Sequence, residues 1–176
     1  RALAPRSRCV PAQLTVQAAL ARVITPDFWA FVAFVSDQDD AWADAFLARL
    51  TEAAGRGSPD SHRFVLDETD APAAVRWLRH HELRLGDLFR HPDDRDAGVG
   101  AVPVMLVRDG ATTFAPEDAE LLRPGDEVVA VGSPRAFDEM ADVLFYDHAV
   151  EYAATGHAVP STLVWRWLKR PRARAT

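Results

Sequence analysis

Two stretches in the first third of the chain carry hydrophobic residues at helical spacing. In the first stretch, the i, i+3, i+4 and i+7 positions are Phe28, Phe31, Val32 and Val35. A helix is predicted there, with Thr25 as its N-cap and Pro26 at its first helical position. A buried strand is the alternative, because residues 28–35 form one unbroken apolar run.

The second stretch, residues 41–54, has one apolar face, follows an acidic segment and precedes Gly55, a pattern typical of a complete helix. Upstream, residues 1–11 are irregular and residues 14–23 are weakly helical. Residues 55–60 are rich in Gly, Ser and Pro and form the best candidate for a domain boundary.

Strands and helices alternate after this boundary. The pattern predicts a strand at 63–68 and a helix at 71–80. The leucines of residues 83–88 then lead into a single helical turn, and residues 92–100 are predicted to form a polar loop.

A β-hairpin is the clearest local feature of the chain. Its predicted strands are residues 102–107 and 111–114, joined by Asp109-Gly110, a dipeptide favoured in two-residue hairpin turns. Four further elements are predicted in order: a strand at 127–131 after the turn Pro124-Gly125-Asp126, a helix after Ser133-Pro134, a helix at 146–154 that stops at Thr155-Gly156, and a helix at 163–169 capped by Ser161.

The succession of elements predicts an α+β fold, in which a small sheet with a hairpin and packed helices is flanked by extra N- and C-terminal helices. We expect residues 1–60 to be a linker and helical extension, 61–145 the central domain and 146–176 a helical tail. With 176 residues, 48% of them hydrophobic, the chain is long enough for one ordinary core.

The net charge and the cysteine content exclude one class of partner and indicate a cellular compartment. A net charge of −6 argues against nucleic-acid binding, which needs a basic face. A single cysteine, Cys9, fits a reducing compartment, so a cytoplasmic setting is expected. No apolar window is long enough to span a bilayer, and residues 1–8 do not resemble the start of a signal peptide. Because the chain begins with Arg1 and not Met, we expect it to be a piece of a longer polypeptide.

No catalytic, cofactor or metal site is predicted from the residues. The segment 98–103 contains Gly-Val-Gly but no third glycine, and it leads into a strand, so it does not fit a dinucleotide loop. His80 and His81 are adjacent on a helix and point about 100° apart, which does not suit chelation of one ion. The acidic clusters at 37–40 and 93–96 lack an EF-hand's glycine and distal glutamate, and divalent-ion binding there stays open.

Several short motifs occur together in the second half of the chain. The segment 102–144 includes Val-Pro-Val-Met-Leu-Val-Arg-Asp-Gly, Phe-Ala-Pro and Leu-Arg-Pro-Gly-Asp-Glu-Val-Val-Ala-Val-Gly-Ser, and it resembles the RCK C-terminal (TrkA-C) domain. Leu83-Arg84-Leu85-Gly86-Asp87-Leu88 is similar to the short leucine-rich segment that precedes the hairpin in that family. The similarity covers about residues 63–144. The family's Rossmann-like N-lobe is absent, and the helices of residues 27–58 are additional.

The resemblance implies a non-enzymatic, cytosolic regulatory domain of a prokaryotic potassium channel or transporter, an expected inner-membrane protein. It implies a homodimer, a membrane pore domain as partner, an unidentified small-molecule or ion effector, and no cofactor, metal or nucleic acid. The expected interface residues are Leu85, Leu88, Phe89, Trp165 and Trp167, although core burial explains the leucines equally well. The alternatives are an assembly domain that binds no ligand and a small-molecule enzyme whose site is built from loops.

Overall fold

The computed structural model describes residues 27–55 and 59–157. The predictions for residues 1–11, 14–23 and 163–169 lie outside the described residues. So do those for Thr25 as N-cap, Pro26, Ser161 and the two interface tryptophans, Trp165 and Trp167.

The described chain has an α+β fold. Its elements follow in the order α1 (Asp27–Ser36), α2 (Asp40–Ala54), β1 (Asp60–Val65), α3 (Pro72–Leu78), α4 (Leu85–Leu88), β2 (Arg90–His91), β3 (Asp94–Gly98), β4 (Ala101–Arg108), β5 (Ala111–Phe114), β6 (Glu127–Gly132), α5 (Pro134–Phe145) and α6 (Asp147–Thr155). The strands of this described part form a four-stranded antiparallel sheet in the order β1-β6-β4-β5 and a separate β2-β3 hairpin.

The predicted hairpin is confirmed as β4 and β5. Arg108 pairs with Ala111, and the two residues between them, Asp109 and Gly110, have φ values of 52° and 80°. Positive φ at both positions is the requirement of a type I′ turn, whose twist matches that of the flanking strands. The local sequence is therefore sufficient to set the register of this pair.

Strand β4 carries a register shift against β6 between Pro103 and Met105. The consequence is that Val104 and Met105 both pack into the same core cluster, whereas Leu106 belongs to the other. Strict alternation would place consecutive residues on opposite faces, so this bulge turns an extra apolar side chain to one side of the sheet.

Helices α1 and α2 cover that side of the sheet. Phe31, Phe46 and Leu50 are buried there with Val102, Val104 and Val131 from the strands. The helix prediction for residues 28–35 is confirmed and the strand alternative is wrong. Asp39 caps α2 by accepting a hydrogen bond from the Trp42 backbone N–H at 2.8 Å.

Helices α3, α5 and α6 cover the opposite side. The buried residues there include Phe64 from β1, Met140 from α5 and Val150 from α6. Ser133 caps α5 as expected from Ser133-Pro134, and Gly156 ends α6 in a left-handed conformation with φ 78°. The sheet thus lies between two helical layers, with apolar residues buried on both of its faces.

Two sequence predictions differ from the structure. The strand predicted at 63–68 is Asp60–Val65. Side chains accept from the backbone N–H groups at its last residue and beyond it: Asp70 accepts from Val65, and Asp67 accepts from Thr69 and Asp70. The polar loop predicted at 92–100 is wrong, since most of this segment forms the β2-β3 hairpin. Its polar side chains gave no strand pattern, and its position is set by distant contacts described below.

Gly132 of β6 pairs with Ala101 of β4. A Cβ built there would come within 2.8 Å of the Ala101 Cβ and 2.9 Å of the Gly100 carbonyl oxygen.

We expect Gly132→Ala to lower the free energy of unfolding by about 1 to 3 kcal/mol, because strand backbone must shift to relieve the overlap. Urea denaturation measures the change. Gly98→Ala is the matched control, since its nearest atom outside its chain neighbours is the Phe89 carbonyl oxygen at 3.6 Å; an equal loss in both variants would contradict the steric explanation.

Candidate ligand-binding site

An ion pair anchors the loop that connects β5 to β6. The Arg108 side chain donates to both carboxylate oxygens of Asp126, from Nε at 2.8 Å and from Nη2 at 2.7 Å. It also donates to Glu120 Oε1 at 2.9 Å and to the Leu121 carbonyl at 2.6 Å. Asp126 is 1% exposed. The hydrogen bond to this carboxylate raises the pKa of Arg108 above its usual value, so the guanidinium stays charged.

The same loop pairs with the segment that leads into α4. The Leu85 N–H donates to the Glu120 carbonyl at 2.8 Å, and the Gly86 N–H donates to the Asp118 carbonyl at 2.9 Å. A Cβ at Gly86 would lie 2.8 Å from the Asp118 Cβ, so glycine permits this close approach. Arg108 and Gly86 together therefore hold Asp118 beside α4.

A cavity of about 450 Å³ lies at this junction. It is bounded by α4, the β2-β3 hairpin, the start of β4, the β5-β6 loop and one residue of α2. Its lining residues that carry charge are Arg49, Arg84, Asp87, Arg90, Arg95, Asp96 and Asp118. Small-molecule sites in proteins have volumes in the same range, roughly 300 to 1,000 Å³.

Two arginines of the cavity wall are held by the protein itself. Arg90 Nε donates to the buried carboxylate of Asp87 at 3.1 Å, and Arg90 Nη1 donates to the Arg95 carbonyl at 3.0 Å. Arg95 Nε donates to the Ala153 carbonyl at 2.8 Å, where α6 ends. These contacts explain why β2 and β3 form a hairpin beside α6, and they fix two guanidinium groups at the cavity wall.

The remaining charges of the wall are loosely held. Arg49 lies 3.7 Å from Asp118, and both side chains are more than half exposed. Arg84 and Asp96 are exposed, and within residues 27–55 and 59–157 neither side chain makes an ion pair. The cavity therefore presents both a cationic and an anionic group to solvent.

The three described residues of the expected interface lie in the core and not on the surface. Leu85 and Leu88 are 0% exposed and Phe89 is 7% exposed, all three in the core cluster beneath α3, α5 and α6. These side chains therefore offer no exposed apolar surface to a second copy, and the core explanation accounts for them.

No feature of the sequence marks the cavity arginines as residues of a binding site. Arg49 and Arg95 are 46 positions apart in the numbering, on different elements, and each resembles an ordinary surface arginine. Only the pairing of residues 83–86 with the β5-β6 loop brings their regions together.

The described residues contain no group of three His, Cys, Asp or Glu side chains placed to hold a metal ion. His80 and His81 have ring planes at 86° with centroids 6.5 Å apart, and His81 stacks on Trp77. In the described part of the chain, no helix has both the length and the hydropathy to cross a bilayer.

No protein-family model matches this chain, and no curated protein sequence matches it either.

Proposed function

We propose that this chain is a cytosolic regulatory domain of a prokaryotic potassium channel or transporter, one that binds a ligand, forms a homodimer and catalyses no reaction. The observation that carries the proposal is the succession of α4, the β4-β5 hairpin, the Pro-Gly-Asp turn, β6 and α5 in residues 83–145, with the β2-β3 hairpin inserted between α4 and β4. The RCK C-terminal domain, which the sequence resembles, has elements of the same kind in this order. An ordered series is more specific than any one of its turns, since a Pro-Gly-Asp turn alone precedes many strands.

A long-range contact supports the same assignment. The motif Val-Arg-Asp-Gly supplies Arg108 and the motif Pro-Gly-Asp supplies Asp126, and these two side chains form the buried ion pair that anchors the β5-β6 loop. The two motifs thus act as parts of one structural unit, which makes their joint occurrence more informative than either alone.

Regulation by such a domain requires that a ligand bind one arrangement of the paired domains more tightly than the other, because only differential affinity shifts a gating equilibrium. The cavity beside α4 is suited to that role. Its wall combines residues of the β5-β6 loop, the β2-β3 hairpin and α2, so a ligand there contacts three parts of the chain that are distant in sequence.

Two measurements test the proposal. Sedimentation equilibrium of the purified chain should give twice the monomer mass, and potassium uptake by an uptake-deficient bacterial strain that expresses the complete gene product should change with Asp126→Ala. Asp147→Ala, which removes an exposed carboxylate, is the control and should leave uptake unchanged. A monomer at all concentrations would refute the dimer, and unaltered uptake would refute the regulatory role. A dimer that binds none of a panel of ions, amino acids and nucleotides would favour an assembly domain instead, and conversion of any of them would favour an enzyme.

A further inference from the structure

We propose that the cavity beside α4 binds a small acidic zwitterion, a molecule with two anionic groups and one ammonium group. The inference rests on the proposed function, because it names the chemical class of the effector. Two observations support it: the charges of the side chains that line the cavity, and the absence of an ion-pair partner for two of them among the described residues.

The cavity wall has an excess of positive charge. Four arginines and three aspartates line it, so the wall carries one net positive charge. Arg90 and Arg95 are held in place by Asp87 and by the Ala153 carbonyl, and their positions need no ligand to fix them. A ligand with one net negative charge would neutralise this wall.

Arg84 is the group best suited to hold an anion. It is exposed on the cavity wall and makes no ion pair among the described residues. A guanidinium presents parallel N–H donors that match the two oxygens of a carboxylate. Arg49 provides a second donor group, since its contact with Asp118 is long, at 3.7 Å, and open to competition by a ligand anion.

Asp96 makes the site unsuitable for a simple anion. Its carboxylate lies on the wall of the same cavity and has no ion-pair partner in the described part of the chain. A ligand with only negative groups would be repelled by Asp96 and by Asp118. An ammonium group on the ligand turns both carboxylates into favourable partners, which is why a zwitterion fits better than a dicarboxylate.

The rest of the wall is small and apolar. Ala97, Ala101, Pro103 and Ala119 contribute to it, together with Phe89, which is almost fully buried. These residues leave room for a short aliphatic chain between the charged groups, as in an acidic amino acid.

Isothermal titration of the chain with L-glutamate tests the proposal, with glutarate as the comparison because it has both carboxylates and lacks the ammonium group. We expect glutamate to bind more tightly than glutarate. Arg84→Gln should weaken glutamate binding by about tenfold or more, in line with the loss of a charge-assisted contact. Asp96→Asn should weaken glutamate binding and leave glutarate binding equal or stronger.

Arg123→Gln is the matched control, since Arg123 is an exposed arginine on the β5-β6 loop and does not line the cavity. It should bind glutamate as the unaltered chain does, and thermal unfolding should show that all three variants fold. No heat with glutamate, equal affinity for glutarate, or unchanged binding by Arg84→Gln would each overturn the inference.

Sedimentation equilibrium on the same samples separates this inference from the proposed function. A chain that binds glutamate as a monomer would retain the site and refute the regulatory dimer. A dimer that gives no heat with glutamate would refute the site and leave the dimer standing.

Discussion

Asp126→Ala should lower the free energy of unfolding by about 3 to 5 kcal/mol, because it removes the buried carboxylate of an ion pair and leaves Arg108 with only Glu120 and the Leu121 carbonyl as acceptors among the described residues. Asp126 is 1% exposed and accepts from Arg108 Nε, Arg108 Nη2 and the Arg123 backbone N–H, the last at 2.7 Å. All three donors lose this acceptor in the variant, and Arg108 stays charged there because an arginine side chain is protonated at any ordinary pH. Urea denaturation followed by circular dichroism measures the change.

Asp147→Ala is the control for this result. Asp147 also binds an arginine, since Arg76 Nε and Nη2 donate to Asp147 Oδ1 at 2.9 and 2.8 Å, but the Asp147 side chain is 71% exposed. We expect a loss of less than about 1 kcal/mol there. If the two variants lost the same unfolding free energy, burial would not explain the contribution of the Arg108–Asp126 pair to stability.

A double variant gives a sharper test of the same pair. Arg108→Met combined with Asp126→Leu should be more stable than Asp126→Ala alone, because it removes the unpaired charge as well as the partner. The losses of unfolding free energy in the two single variants are added and compared with the loss in the double variant. A loss in the double variant larger than that sum would show that the pair does not act as a unit.

Leu50→Ala should lower the free energy of unfolding by about 3 kcal/mol, the cost of a cavity at a fully buried leucine. Leu50 is 1% exposed and packs with Phe46 and Val104 in the cluster between α2 and the sheet. The loss should appear as a lower urea midpoint with an unchanged slope, because the helix and the sheet unfold together.

Leu47→Ala is its control, since Leu47 lies on the same helix and is only half-buried. Its loss should be clearly smaller. A loss below about 1 kcal/mol for Leu50→Ala would mean that α2 is not part of the cooperative unit. Residues 55–60, which are rich in Gly, Ser and Pro, would then be a true domain boundary.

Local patterns were sufficient for most of the secondary structure. Asp109-Gly110 predicted the hairpin because only a few residue types accept positive φ at both central positions of its turn. Gly125 has φ 89°, as a turn of the type Pro-Gly requires, and Ser133 caps α5 as predicted. In each case the physical cause acts over a few residues, and the sequence displays it directly.

Prediction failed where a distant contact decides the conformation. The β2-β3 hairpin has no apolar alternation, and it is positioned by Arg90 on Asp87 and by Arg95 on the end of α6. Likewise, the sequence indicated only that Asp126 belongs to the turn Pro124-Gly125-Asp126, whereas its side chain accepts two hydrogen bonds from Arg108, 18 residues away. Ion pairs of this kind join residues that no periodicity links.

The sequence by itself determined that the chain forms an α+β fold and which segments turn, cap and pair locally, because those preferences arise from backbone conformation and from the periods of helix and strand. The tertiary structure alone decided that Leu85 and Leu88 belong to the core, that α1 and α2 cover one face of the sheet, and that Arg84 and Asp96 share a cavity. The reason is that burial and charge pairing depend on which segments meet in space, and that is settled only when the whole core packs.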